Sequence, residues 1–355
     1  MKIKSILSLV LCFSTLWVQA QTDVTKFVPG STLEGVSYFL PKTAFRITIV
    51  TEKTVTKPGD FYKYANRYLR LPNVPTEESV EWSIKSIKLE PYGVPDKNKA
   101  YSIKIKSKTV APLVGLSSDG ILLSVNAEAQ EETLPALPEA IPAPKLEEPR
   151  SYMTQEMLAA GSTAKMAELC AEEIYDLRDS RNSLIKGEAD NTPKDGTQLQ
   201  LMLSQLDKQI TVLESMFKGT QQTSTEVSSF NFLPNQETDK EILFRFSKKL
   251  GVVDADDLAG TPIYISVRSL ETLPQTEANE DIAKKKAKME KGIYYNVPVR
   301  TKIRIFNSQQ EFFAMETPMG QFGAVEILSN LLFDKQANTK VTFFQSTGGT
   351  KDITR

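Results

Sequence analysis

The sequence predicts an α+β protein in which two β-rich domains, sandwich- or small-barrel-like, flank an antiparallel helical hairpin. Three observations carry that expectation. Segments that alternate apolar and polar residues, the period of a half-buried strand, recur before residue 127 and after residue 220. Between them Leu199, Leu203, Leu206, Ile210, Leu213 and Phe217 are spaced by fours and threes, which sets them on one helical stripe. A stretch holding Pro135, Pro138, Pro142, Pro144 and Pro149 separates the first β-rich region from the helical one.

Residues 1–20 have the three-part pattern of an export signal. Lys2 and Lys4 form its positive end, Ile6 to Val18 its apolar centre, and Val18-Gln19-Ala20 a peptidase site, so cleavage is expected before Gln21. The apolar centre is shorter than the about 20 residues a membrane span needs, and no later segment approaches that length. Cys12 follows Leu11, where a lipoprotein signal wants a small side chain, and apolar residues continue through Trp17. A soluble mature chain is the expectation.

The N-terminal β-rich domain is placed at residues 21–127. Phe45 to Thr51, Trp82 to Lys85, Tyr101 to Lys106 and Ile121 to Val125 read as its strands. Pro58-Gly59-Asp60, Pro91-Tyr92-Gly93 and Ser118-Asp119-Gly120 read as turns between them. Asp60 is placed to cap a short helix carrying Phe61, Tyr64, Ala65 and Tyr68, stopped by Leu71-Pro72. Residues 128–150 then form an extended acidic linker, for which a proline-rich docking peptide is the functional alternative. The hairpin occupies residues 151–219. Ala167, Cys170, Ile174, Leu177 and Leu184 give its first stripe, Gly187 its first stop, and Asp195 or Thr197 the next cap. The stripes are expected to face each other and the C-terminal lobe. That lobe, residues 220–355, offers strands at Ile242 to Phe246, Ile263 to Arg268, Tyr294 to Phe306 (one strand or two), Phe312 to Met315, Ala324 to Ile327 and Val341 to Phe344. Pro318 to Gly323 reads as a hairpin turn.

Composition removes more chemistry than it suggests. Histidine is absent, which excludes a Ser-His-Asp triad, a Cys-His dyad and every His-ligated metal site. The 43 basic and 44 acidic residues nearly cancel, against a nucleic-acid partner. After the signal only Cys170 remains, in a helical pattern that favours core packing over a nucleophile. Asp254-Ala255-Asp256-Asp257 offers hard oxygen ligands, but without the glycine and distal glutamate of a calcium loop it reads as a solvated turn. Lys284-Lys285-Lys286-Ala287-Lys288, partly offset by nearby acids, reads as a solvated helix, with anionic headgroups as the alternative. Phe61, Tyr62, Tyr64, Tyr68, Trp82, Tyr92 and Tyr101 read as core, or, if exposed, as a glycan platform. No catalytic, cofactor-binding or metal-binding residue is assigned, and no cofactor is expected.

Several segments together carry a resemblance. They are Gly35 to Thr43, Lys57-Pro58-Gly59 with Tyr64 to Leu69, Glu81 to Leu89, Lys186 to Asp190 and Pro318 to Ala324. The ensemble resembles an uncharacterised domain-of-unknown-function family of exported Bacteroidetes proteins. That resemblance implies a periplasmic or outer-membrane-associated setting and transfers no functional residues. The functional expectation is an exported, non-enzymatic cell-envelope protein that binds or scaffolds a protein partner. The alternatives are a glycan-binding module using exposed aromatics and a carboxylate-based hydrolase.

Overall fold

The structure, a computed structural model, describes residues 23–26, 35–104, 113–190, 192–271, 292–329, 332 and 339–355. The signal segment 1–20, Cys12 with it, and the lysine run at 284–288 lie outside the described residues. In chain order the elements are β1 (Asp23–Lys26), β2 (Val36–Lys57), α1 (Ala65–Leu69), β3 (Ser79–Lys104), β4 (Val114–Leu116), β5 (Leu122–Val125), α2 (Gln155–Leu158), α3 (Thr163–Lys186), α4 (Gly196–Lys218), β6 (Thr220–Phe232), β7 (Thr238–Ser247), β8 (Gly251–Val253), β9 (Thr261–Ser269), β10 (Gly292–Phe306), β11 (Glu311–Ser329), β12 (Lys340–Phe343) and β13 (Thr350–Thr354). They form three antiparallel sheets, ordered β1-β3-β2-β6, β11-β10-β9-β7-β8 and β13-β12-β5-β4.

Alternation along the strands decides which side is buried. Phe45, Ile47 and Ile49 on β2 meet Ile263, Ile265 and Val267 on β9 and Ile303 and Ile305 on β10 in one apolar core. Arg46, Lys302 and Arg304, at the intervening positions, lie on the opposite faces. A second core, holding Tyr38, Leu40, Tyr101, Leu122, Val125, Ile293, Val341 and Phe343, takes the other ends of β2 and β3. Both β cores therefore mix residues from before 127 with residues from after 220. β6 pairs with β2 and β12 with β5, so the expected boundary between two separate β-rich domains does not divide the hydrophobic interior. Apolar strands whose best partners lie far along the chain carry no local sign of that pairing.

The third core is helical. Ile210, Leu213 and Phe217 on α4 and Ala167, Cys170 and Ile174 on α3 bury against Phe61, Ala65 and Leu69 of the α1 region and against Met157. The α4 stripe faces inward over its whole length, with Leu199, Leu203 and Leu206 half-buried. Its support is the α1 region rather than the C-terminal strands, which corrects the packing expected from sequence. Asp195 caps α4 through the Thr197 N–H at 2.9 Å, and Gly187 ends α3 with φ 72°. Asp60 caps nothing: the turn after it starts at Phe61, whose N–H donates to the Met216 carbonyl at 2.7 Å. A Cβ on Gly59 would stand 2.2 Å from that carbonyl, so only glycine lets this segment meet α4.

Two expected turns lie inside strands. Pro91-Tyr92-Gly93 continues β3, with Pro91 opposite Phe45. Among the described residues β1 pairs with β3 only at Tyr101 to Lys104 and β2 is the one neighbour of β3 around Pro91, which tolerates a residue without an N–H. Pro318 to Gly323 lies within a continuous β11, where Pro318 and Met319 stay paired and Gly320 to Gly323 bulge out. Val297 pairs with Ala324 and Val299 with Met319, leaving four residues opposite Pro298. The Gln321 side chain then reaches Thr43, accepting from its N–H at 2.8 Å and donating to its carbonyl at 2.9 Å. Tyr294 to Phe306 belongs to one strand, β10.

Candidate functional site

The proline-rich segment departs most from its expected form. Residues 128–148 join no sheet or helix, because their prolines donate no N–H and break any ladder. Yet the segment is a strap, fastened to the body at intervals. The Glu132 N–H donates to Gln345 Oε1 at 2.7 Å, and its carboxylate accepts from the Gln345 and Ser346 N–H groups at 3.2 and 3.3 Å. The Pro135 carbonyl accepts from the Arg46 guanidinium, which is itself paired with Glu90. Ile141 donates to Thr225 Oγ1 at 2.8 Å, and its carbonyl accepts from the Thr225 N–H at 2.8 Å. The Pro144 carbonyl accepts from Gln222 Nε2 at 2.7 Å, and Glu147 pairs with Lys208 at 2.7 Å.

These five anchors, residues 132, 135, 141, 144 and 147, differ throughout by multiples of three. An extended polyproline helix has about three residues per turn, so such positions fall along one edge. That edge holds the strap to β6, β2 and α4. Leu137, Ala140, Ala143 and Leu146 share the next edge, and all four are exposed. Leu137, Ile141 and Leu146 are respectively 42%, 62% and 44% exposed, a run of apolar side chains on an acidic segment. The hydrogen bond from Lys208 holds the Glu147 carboxyl below the usual carboxylate range, and Glu147 in turn raises Lys208.

The Thr225 anchor gives a direct check. Thr225→Val removes the acceptor of the Ile141 N–H while keeping the shape of the side chain. A neutral hydrogen bond contributes about 0.5–1.5 kcal/mol, so amide exchange of Ile141 should accelerate severalfold by mass spectrometry. Exchange in β2 should stay as in the native chain; unchanged exchange at Ile141 would show that the strap is held by something else.

Asp254, Asp256 and Asp257 are exposed in the turn before β9, where the Asp257 carboxylate accepts from the Ala259 N–H at 2.8 Å. Among the described residues no group of three or more Cys, Asp or Glu is disposed to hold a metal. Asp119, Glu131 and Glu132 line a cleft of about 340 Å³ beside Tyr92. Glu131 accepts there from the Ser118 hydroxyl at 3.1 Å and from its N–H, and Glu132 is the anchor above, so both carboxylates already serve the strap. Phe61 and Tyr101 are buried, while Tyr62, Tyr64, Tyr68, Trp82 and Tyr92 are half-buried. Burial pushes the Cys170 thiol up to about 12, which keeps it protonated and a poor nucleophile at neutral pH. The strap's receiving residues, Arg46, Gln222 and Thr225, carry no sequence signal. The three-residue spacing of Pro135, Pro138, Ile141 and Pro144 was the visible sign of an edge.

Residues 34–351 match a family model described as Domain of unknown function (DUF4831). No curated protein and no solved structure matches the chain.

Proposed function

The chain belongs to the family described as Domain of unknown function (DUF4831), and from that premise we propose an exported, non-enzymatic cell-envelope protein that binds a protein partner through its strap. The observation that carries this reading is the strap's exposed apolar edge. Leu137 and Leu146 face solvent on a segment whose other edge is pinned to the body. A segment already held extended loses less conformational entropy when a partner closes over it than a free chain does. Extended proline-rich segments are recognised by aromatic-lined grooves, and the strap's glutamates suit a groove with a basic rim.

Export rests on Lys2, Lys4, the apolar run after them and Ala20, and the envelope setting of the Bacteroidetes kind on the resemblance carried by segments such as Gly35 to Thr43 and Pro318 to Ala324. No helix among the described residues is long and apolar enough to cross a membrane. The lack of histidine removes the commonest acid-base and metal chemistry and weighs toward binding. The test is affinity capture from solubilised envelope with the full chain and with a Leu137→Asp/Leu146→Asp variant. One protein at near-stoichiometric yield is expected with the native strap and at least tenfold less with the variant. Recovery of no such protein, or equal recovery by both, would overturn the reading.

A further inference from the structure

β6 is an edge strand that carries no safeguard of its own. It ends the first sheet, with β2 on its inner side. Thr220–Phe232 holds Thr223, Thr225, Val227, Phe230 and Phe232, has no proline or glycine, and has Glu226 as its one charge. A strand of high β-propensity and low charge with an open edge is a template for a further strand. Natural edges are kept apart by lysine, proline, a bulge or a cover. β6 has no lysine, and it pairs with β2 from Thr220 to Phe232 without a shift of register, so it has no bulge.

A cover is present, and it is the strap. Pro135 meets Arg46, whose partner on β6 is Asn231; Ile141 meets Thr225, and Pro144 meets Gln222. The strap thus advances six residues and then three while β6 retreats six and then three. That is the pace of an antiparallel neighbour. Alternate residues of β6 turn their backbone groups outward. Thr225 is one of them, because its N–H donates to the Ile141 carbonyl, and Gln221, Thr223, Val227 and Ser229 follow from it. Among the described residues no other member of this series has a backbone partner on that side. Thr225 is 8% exposed beneath the strap, whereas Thr223 and Ser229 on either side are exposed. Pro135, Pro138, Pro142 and Pro144 have no N–H, so the strap presents no continuous ladder to a next strand. It ends the sheet without extending it.

We propose that the strap guards this edge: while pinned, it keeps β6 from pairing antiparallel with β6 of a second copy of this chain. The guard is held by one backbone bond and by side chains, and Leu137, Ile141 and Leu146 are exposed, so it lifts without opening any of the three cores. This concerns the strap's inner edge and is independent of the binding proposed for its outer one.

The experiment compares the full chain with two variants, by sedimentation velocity and by amide exchange read with mass spectrometry. In the first, residues 135–147 become a glycine-serine stretch of equal length, which does not hold itself extended. In the second, Ile141→Pro, Gln222→Ala and Glu147→Gln remove three anchors at residues outside every core. Each lost hydrogen bond is worth about two- to tenfold, so both should self-associate at concentrations roughly tenfold or more below the native chain. The amides of Thr223, Val227 and Ser229, fast in the native chain, should be protected in the associated form. Adding Thr223→Lys and Ser229→Lys, at exposed positions, should restore the monomer, because lysine on an edge deters pairing. The second variant carries the test alone if the first does not fold. Monomeric variants, or association that leaves β6 unprotected or survives the two lysines, overturn the proposal. No partner enters these readouts, so their failure leaves the binding reading standing, and failed capture leaves this one.

Discussion

Phe217→Ala is expected to cost about 3–5 kcal/mol of folding stability, the range for deleting a buried aromatic ring. Phe217 is fully buried at the end of α4, and its ring meets Phe61 edge-on at 5.3 Å. One side of the contact belongs to the hairpin and the other to the segment that carries Gly59. The void would therefore open where the helices join the rest of the chain. Helices that gain little from packing fray first, so amide exchange in α3 and α4 should rise more than in β9 and β10. Phe217→Leu, which keeps most of the volume, should cost less than half as much. Urea midpoints for the three chains decide it, and a loss below about 1 kcal/mol for Phe217→Ala would mean that the hairpin does not depend on this contact.

Asn296→Asp should be comparably damaging, and more so as pH rises. Asn296 is fully buried, with its Nδ2 donating to the Pro41 and Thr347 carbonyls at 2.9 and 2.8 Å. A carboxylate there would face two carbonyl oxygens with no proton to offer, and an uncompensated buried charge costs about 3–5 kcal/mol. The neutral acid is the form the fold tolerates, so its folded-state pKa would lie above that of the unfolded chain. Stability of the variant is then highest below the unfolded value, about 3.9, and falls as pH rises toward the folded one. The variant should lie nearest the native chain at pH about 4 and furthest from it at pH about 7. Asn296→Ala, which loses the donors and adds no charge, should show a smaller deficit that is flat over the same range. Equal deficits for Asn296→Asp at both pH values would mean that water reaches the site.

What could be read from sequence was whatever has a local period. The α4 stripe was visible because side chains three and four apart share a face, and Ser118 to Gly120 because Gly120 adopts φ 79°, which favours glycine. The core strands of β2, β9 and β10 showed their alternation in the same way. Pro91 and Pro318 misled because proline and glycine mark bulges and single-neighbour stretches as well as turns. The strap was visible as composition, and its docking was not, because Ile141 bonds to Thr225 and Glu132 to Gln345, residues remote in sequence. That Lys302 stands beside Arg268 is a matter of register between β9 and β10, which no local period shows.

The interleaving of early and late strands also sets a timetable for biosynthesis. Thr48 pairs with Ser229, and Val125 waits for Val341, so neither β core can close until the late strands have left the ribosome, although the helical core, complete by Phe217, can. Contacts this distant form slowly, because the ends of long loops must find each other first. The β2 side of the first core thus stays open until β9 and β10 are made, with Phe45, Ile47 and Ile49 uncovered in the meantime. A polypeptide in that condition presents apolar strand edges to neighbouring chains while it is being made, which is the state from which aggregation starts.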